Sequence, residues 1–166
     1  MFEIGSGSGQ HALHFVDQLP GLRWQPSDTD PYFDGLCQNL GNVSPNILAP
    51  QKRDLAQDDW PDTQYDAMYA ANVAHIVAQD LVAALIQRAG EMVRAGGFLM
   101  LYGPYRYEGN FTTQSNADFD VWLKQRNPQS GIRDFEWICH QAEMAGLVLL
   151  EDHVMPANNQ LLVFRK

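Results

Sequence analysis

The chain has 166 residues, which at ~150 residues per domain reads as a single domain spanning 1–166. Its 45% apolar residues are enough for a core, and they exclude a disordered chain, a collagen and a coiled coil. Eleven Lys and Arg against twenty Asp and Glu leave a net charge of −9, which repels phosphate backbones, so no nucleic-acid partner is expected.

In chain order, residues 1–4 predict a short strand, cut by Gly5-Ser6-Gly7-Ser8-Gly9. Over residues 10–19, Ala12, Leu13, Phe15, Val16 and Leu19 recur at three- and four-residue steps, which predicts a helix. Pro20-Gly21 ends it, and residues 22–25 predict a strand stopped by Pro26. Asp30-Pro31 then predicts a helix with proline at its first position, running to Leu40. Ile47-Leu48-Ala49, between Pro45 and Pro50, leads toward a third strand ending near Asp54-Leu55. A strand over 65–69 and a helix over 79–95, stopped by Gly96-Gly97, come next. Residues 98–102 are a continuous apolar run, as in a strand covered on both faces. Residues 103–116 read as a long polar and aromatic loop, and 117–126 and 134–145 as helices. Residues 147–155 and 160–165, joined by a turn at 156–159, predict a C-terminal antiparallel hairpin. The alternation of strand and helix implies an α/β fold, a mostly parallel sheet flanked by helices. Ligands of such sheets bind at the carboxyl ends of the strands, where the strand order reverses.

No apolar stretch reaches the ~20 residues that span a bilayer, and no signal peptide is evident, so no membrane partner is expected. Cys37 and Cys139 form no CxxC pair, so a reducing cytoplasm is the expected location. His11 and His14 have no third ligand nearby, and no metal is expected.

The glycine loop lacks the Gly-Lys-Ser/Thr of a P-loop, and Gln10 stands where a GxGxxG dinucleotide fingerprint needs glycine. What remains is Glu3-x-Gly5-x-Gly7-x-Gly9, which resembles the first motif of class I S-adenosylmethionine-dependent methyltransferases. That resemblance implies that Gly5, Gly7 and Gly9 approach the cofactor and that Glu3 faces its cationic methionine end. Asp28 lies 19 residues beyond Gly9, placed to accept ribose hydroxyls, with a helix cap or turn as the alternative. Asp54 and Leu55 sit at the next junction, where they are candidates for the adenine ring, with solvated loop charge as the alternative.

Longer pieces carry a fuller resemblance. Residues 3–12, Trp24-Gln25-Pro26-Ser27-Asp28, Asn72-Val73-Ala74-His75-Ile76, Tyr102-Gly103-Pro104-Tyr105, residues 115–120, residues 131–136 and Met155-Pro156-Ala157-Asn158-Asn159 resemble the methyltransferase-like 26 family, also called domain of unknown function 938. The resemblance implies a Rossmann-like class I methyltransferase fold with S-adenosylmethionine as cofactor and no settled reaction. Family members carry an N-terminal helix that helps cover the cofactor. This sequence begins inside the first strand, so that helix is expected to be missing and the methionine end of the cofactor open.

Methyl transfer needs an in-line nucleophile and in some cases a general base. Asn72, after the fourth strand, is assigned to the cofactor and His75 to the base, with packing in the loop as the alternative for His75. Tyr105 is a second catalytic candidate, in a lid formed with Tyr102, Tyr107, Asn110 and Phe111, with a surface loop packed by its own aromatics as the alternative. Arg133 and Asp134 read as a structural pair or as an N-cap at the Phe135 helix, with Arg133 also a candidate for an anionic substrate and Asn158-Asn159 for the same cleft. The expectation is a methyltransferase acting on a small molecule. Its rival is a catalytically silent binding or scaffold module of the same fold.

Overall fold

Residues 1–41, 43–57, 60 and 62–166 are described by the computed structural model. In chain order it contains β1 (Phe2–Ile4), α1 (Gln10–Gln18), β2 (Gln25–Asp28), α2 (Phe33–Leu40), β3 (Gln51–Lys52), β4 (Tyr65–Ala71) and α3 (Gln79–Met92). These are followed by β5 (Val93–Gly103), β6 (Tyr105–Tyr107), β7 (Asn110–Phe111), α4 (Gln114–Arg126), β8 (Arg133–Asp134), α5 (Phe135–Met144), β9 (Val148–Met155) and β10 (Asn159–Arg165). Among the described residues seven strands form the main sheet, in the order β3-β2-β1-β4-β5-β10-β9. β1, β2, β3, β4 and β5 pair in parallel, and β10 runs antiparallel to both β5 and β9. The expected α/β fold with a C-terminal hairpin is therefore present, with β9 at the edge of the sheet and β10 between it and β5.

Strand alternation divides the core between the two faces. Phe2 and Ile4 of β1 join Met68 and Ala70 of β4 beneath α3 and α5. On the other face Tyr69 and Ala71 of β4 pack with Trp24 and the apolar sides of α1 and α2. Every residue of β4 from Ala67 to Ala71 is buried, as expected of a central strand with both faces covered. Among the described residues no helix is long and apolar enough to cross a membrane.

Several boundaries differ from the sequence expectations. β2 begins at Gln25 and runs through Pro26, because Gln25 and Ser27 direct their N–H groups toward β1 and its loop, which puts the proline nitrogen on the opposite side. Pairing with β3 starts only at Ser27, so no ladder bond is lost. Trp24 instead bridges to Ile47, and β3 is only two residues long, ending before Asp54. α2 starts at Phe33, two residues later than expected, after Tyr32 and Phe33 donate their N–H groups to Thr29 O. α3 ends at Met92, not at the glycine pair. Val93 is already paired with Tyr65, and Gly96 and Gly97 lie inside β5, bonded to Lys166 at 2.8 and 3.0 Å.

The stretch 103–116, expected as a loop, carries two short strands and the start of a helix. β6 and β7 form a hairpin that joins β8 in a second, three-stranded sheet. α4 starts three residues earlier than expected, because Thr113 caps it by accepting the N–H of Asn116.

Candidate active site

The chain runs from β1 outward through β2 to β3, then crosses back to β4 on the other side of β1. The loops after β1 and β4 therefore part at this point and leave a crevice at their carboxyl ends. A cleft of about 420 Å³ occupies it, lined from four junctions: Gly5 and Gly7 after β1, Asp28 at the end of β2, Asp54 and Leu55 after β3, and Asn72 after β4.

Hydrogen bonds between the first two junctions hold the glycine loop. Ser6 N donates to Ser27 O at 3.0 Å, Ser27 N to Ser6 Oγ at 3.1 Å, and Ser27 Oγ to Glu3 O at 2.6 Å. Gly7 N donates to Asp28 Oδ2 at 2.7 Å, and Thr29 N to Asp28 Oδ1 at 2.8 Å. Asp28 is 7% exposed and reaches the cleft with the rest of its acceptor capacity. Gly5 (φ +69°) has no space for a side chain, since a Cβ there would lie 2.7 Å from Val73 Cγ2.

Two assigned residues lie outside the cleft. Gly9 (φ +82°) serves packing: a Cβ would meet Leu40 of α2 at 2.7 Å. Glu3 is turned to the opposite face of the sheet by strand alternation, because its neighbours Phe2 and Ile4 fill the core under α3. It is fully buried, and its two oxygens accept from Trp24 Nε1 at 2.8 Å and pair with His11 Nδ1 at 3.0 Å. The carboxylate expected at the cofactor is thus a buried tie between β1, Trp24 and α1.

The loop after β4 is shared by two cavities. Asn72 (φ +58°) is exposed and also lines a second cavity of about 380 Å³, where His75, Pro104, Asn116, Phe119 and Asn159 stand. His75 is 4% exposed, and its imidazole packs edge-on to Phe119 at 5.4 Å. Burial, with a lesser contribution from the nearby Arg133 charge, pulls its pKa down to about 4, so the ring is neutral at pH 7.

The four carbonyls of residues 74–77 are bonded in series by the segment before β8. Arg133 Nε donates to Ala74 O at 2.9 Å, Gly131 N to His75 O at 2.9 Å, Ser130 Oγ to Ile76 O and Arg133 Nη2 to Val77 O, the last two at 2.5 Å. Arg133 Nη2 also donates to Gln129 O at 2.8 Å. The guanidinium expected to meet an anionic substrate is therefore committed to backbone. Asp134 pairs with Arg106 at 2.6 Å instead of with Arg133.

Tyr105 lies outside both cavities. It is 1% exposed in the core, its hydroxyl is buried without a partner among the described residues, and burial raises its pKa. The reason is periodicity: the segment is a strand whose first residue points inward, not a loop. Tyr107 and Tyr102 are engaged as well, Tyr107 OH donating to Asp152 at 2.8 Å and Tyr102 OH accepting from Asn159 Nδ2 at 3.2 Å. Asp54 accepts the N–H of Ala56 at 2.9 Å and closes its own turn, while still lining the cleft.

Sequence reasoning missed Tyr32, Arg53, Trp60 and the apolar wall of Ile76, Val77 and Leu81. Trp60 was the detectable one, a lone indole in a polar stretch. Its Nε1 donates to Asp54 O at 3.3 Å, and its ring lies 6.0 Å from Phe2. Among the described residues no group of three His, Cys, Asp or Glu is placed to hold a metal.

A family model described as "Protein of unknown function (DUF938)" matches residues 1–166. Among solved structures, an O-methyltransferase family protein from Burkholderia thailandensis is similar with a TM-score of 0.88 at 16% identity, covering 99% of this chain and 50% of that one. Human N-acetylserotonin methyltransferase in complex with SAM gives 0.85 at 18% identity, covering 100% and 47%. An O-methyltransferase family 2 protein from Planctomyces limnophilus DSM 3776 in complex with apigenin gives 0.81 at 17% identity, covering 99% and 50%. At these identities the likeness is one of fold, the Rossmann-like class I methyltransferase fold. The chain spans about half the length of these structures.

Proposed function

The chain belongs to the family of proteins of unknown function described as DUF938, whose description assigns no reaction, and we propose from the site itself that it is an S-adenosylmethionine-dependent methyltransferase acting on a small molecule. Within that family we read it as a member of the methyltransferase-like 26 branch, on the sequence pieces quoted above. The observation that carries the functional reading is the juncture at Asn72: a cleft built on the glycine loop and Asp28 opens beside a second cavity, so a methyl donor and an acceptor would meet there.

The residues present fit such a cofactor. A carboxylate offers about four acceptor positions. Asp28 uses one on each oxygen for backbone N–H groups, leaving capacity for two ribose hydroxyls. A Cβ at Gly7 would meet nothing within 4 Å, so the backbone there lies open to a ligand. Leu55, Trp60, Ile76 and Leu81 give the apolar surface that an adenine ring requires, with Asp54 at its edge. The SAM bound by the human enzyme supports the same ligand here by likeness of fold.

When bound, the cofactor would supply an electrophilic methyl group, carried on a sulfonium, to an acceptor lone pair. Gly5 and Gly7 would hold the amino-acid portion, Asp28 the ribose, and Asn72 would stand between donor and acceptor. His75, neutral and held by its backbone, would take the acceptor's proton.

Isothermal titration with S-adenosylmethionine and S-adenosylhomocysteine tests the reading. Saturable heat with both is expected. No heat with either, on protein shown to be folded, refutes it.

A further inference from the structure

The wall of the second cavity is uncharged. Its polar groups are the amides of Asn72, Asn116 and Asn159, the hydroxyl of Ser115 and the neutral imidazole of His75. Neither lysine nor arginine lines it among the described residues, and Arg133, close behind His75, is committed to three carbonyls.

Two of these amides, those of Asn116 and Asn159, have fixed orientations. Asn116 Nδ2 donates to Thr112 Oγ1 at 2.9 Å and Asn158 O at 3.0 Å. Asn159 Nδ2 donates to Pro156 O at 3.2 Å and Tyr102 OH at 3.2 Å. A backbone carbonyl can only accept, so each NH2 end is placed and each Oδ1 is left as an acceptor with no partner among the described residues. Beside them, the ring of Phe119, stacked on Trp122 at 5.7 Å, and Pro104 give a flat apolar surface.

We propose that this cavity is the acceptor site and that it takes an uncharged small ring compound through a hydroxyl group. A carboxylate or phosphate would face carbonyl oxygens with no cation to offset its desolvation. An ammonium has no lone pair to accept a methyl group. A hydroxyl donates its proton to the wall and keeps a lone pair for carbon. On transfer its oxygen forms the O–CH3 bond as the S–CH3 bond breaks, the bonding pair stays on sulfur, and the hydroxyl proton passes to His75.

This assignment rests on the first cleft being the S-adenosylmethionine site, so binding at the two cavities is read separately. Amide chemical shifts are followed by NMR while phenol, benzoate or benzylammonium is titrated into protein with and without saturating S-adenosylhomocysteine. Phenol is expected to move Asn72, His75, Asn116 and Phe119, and the two charged probes at equal concentration are not. Ser115→Trp, an exposed position on α4 that fills the cavity, is expected to weaken phenol binding by about tenfold or more while S-adenosylhomocysteine affinity holds. Benzoate or benzylammonium binding as tightly as phenol overturns the proposal. So does a phenol response that is absent, maps elsewhere or survives Ser115→Trp. Failure of S-adenosylhomocysteine to bind refutes the cofactor reading instead, and the phenol titration of the free protein then still decides the chemistry of the cavity.

Discussion

Asp28→Asn perturbs the cleft at the residue that holds the glycine loop and that, in the proposed function, also takes the ribose. The carboxylate accepts Gly7 N at 2.7 Å and Thr29 N at 2.8 Å while 93% of its surface is buried. Asparagine keeps the shape, removes the charge from both bonds and sets an NH2 group against one of the two N–H donors. A hydrogen bond to a charged group contributes ~1.5–3 kcal/mol and a neutral one ~0.5–1.5. One bond lost and one weakened lowers stability by ~1–3 kcal/mol. The ribose hydroxyls lose the same charge assistance, which at ~1.4 kcal/mol per decade lowers cofactor affinity by roughly tenfold to a few hundredfold. Titration calorimetry with S-adenosylhomocysteine and urea denaturation on the same preparation measure both. Ser6→Ala is the control, since it removes the bond from Ser27 N without changing a residue that lines the cleft. It should cost about 1 kcal/mol of stability and leave affinity within severalfold. Wild-type affinity in Asp28→Asn refutes the ribose role. An equal affinity loss in Ser6→Ala shows that Asp28 acts only by holding the loop.

Glu3→Gln should lower stability by about 1 kcal/mol, from lost charge assistance to Trp24 and His11, and leave cofactor affinity unchanged; an affinity loss at unchanged stability would return Glu3 to the cofactor. The pKa of His75 falls from 6.5 to about 4 on folding, so between these values the unfolded chain binds more protons and stability declines as pH falls, by about 3 kcal/mol when the fall is complete. The difference in denaturation free energy between wild type and His75→Gln, followed from pH 7 to pH 4, should shrink accordingly, and a constant difference would show that the imidazole is not held neutral by the fold. Arg133→Met strands the carbonyls of Ala74, Val77 and Gln129 and should cost about 3 kcal/mol or more, with faster amide exchange over residues 72–77; Arg133→Lys, with one compact ammonium, should restore only part. Equal stability of all three proteins in urea would show that these bonds do not hold the loop.

Order and type of the elements were legible wherever local chemistry sets them. The helical spacing of Ala12, Leu13 and Val16 and the stop at Pro20-Gly21 marked α1, and Leu81, Val82, Leu85, Ile86 and Ala89 marked α3. That Gly5, Gly7 and Asp28 would stand together at the strand ends was legible from a strand–glycine–helix junction followed by a carboxylate, and they line one cleft. Boundaries failed where a partner strand overrode a breaker. Pro26 continues β2 because its missing N–H faces no partner, and Gly96 and Gly97 stay in β5 because the chain's C-terminus pairs with them.

The sequence by itself determined the α/β alternation and the turns at the strand ends where the cleft lies, since each follows from neighbours in the chain. Tertiary structure alone decided which side chains reach the cleft. A strand sends successive residues to opposite faces, and which face meets the cleft depends on what covers each one. That turned Glu3 to Trp24 and His11, sank Tyr105 into the core, and placed Arg133, distant in sequence, on the carbonyls beside His75. It also brought Asn72, Asn116 and Asn159, from three separate elements, around one uncharged cavity, a proximity that no spacing along the chain records.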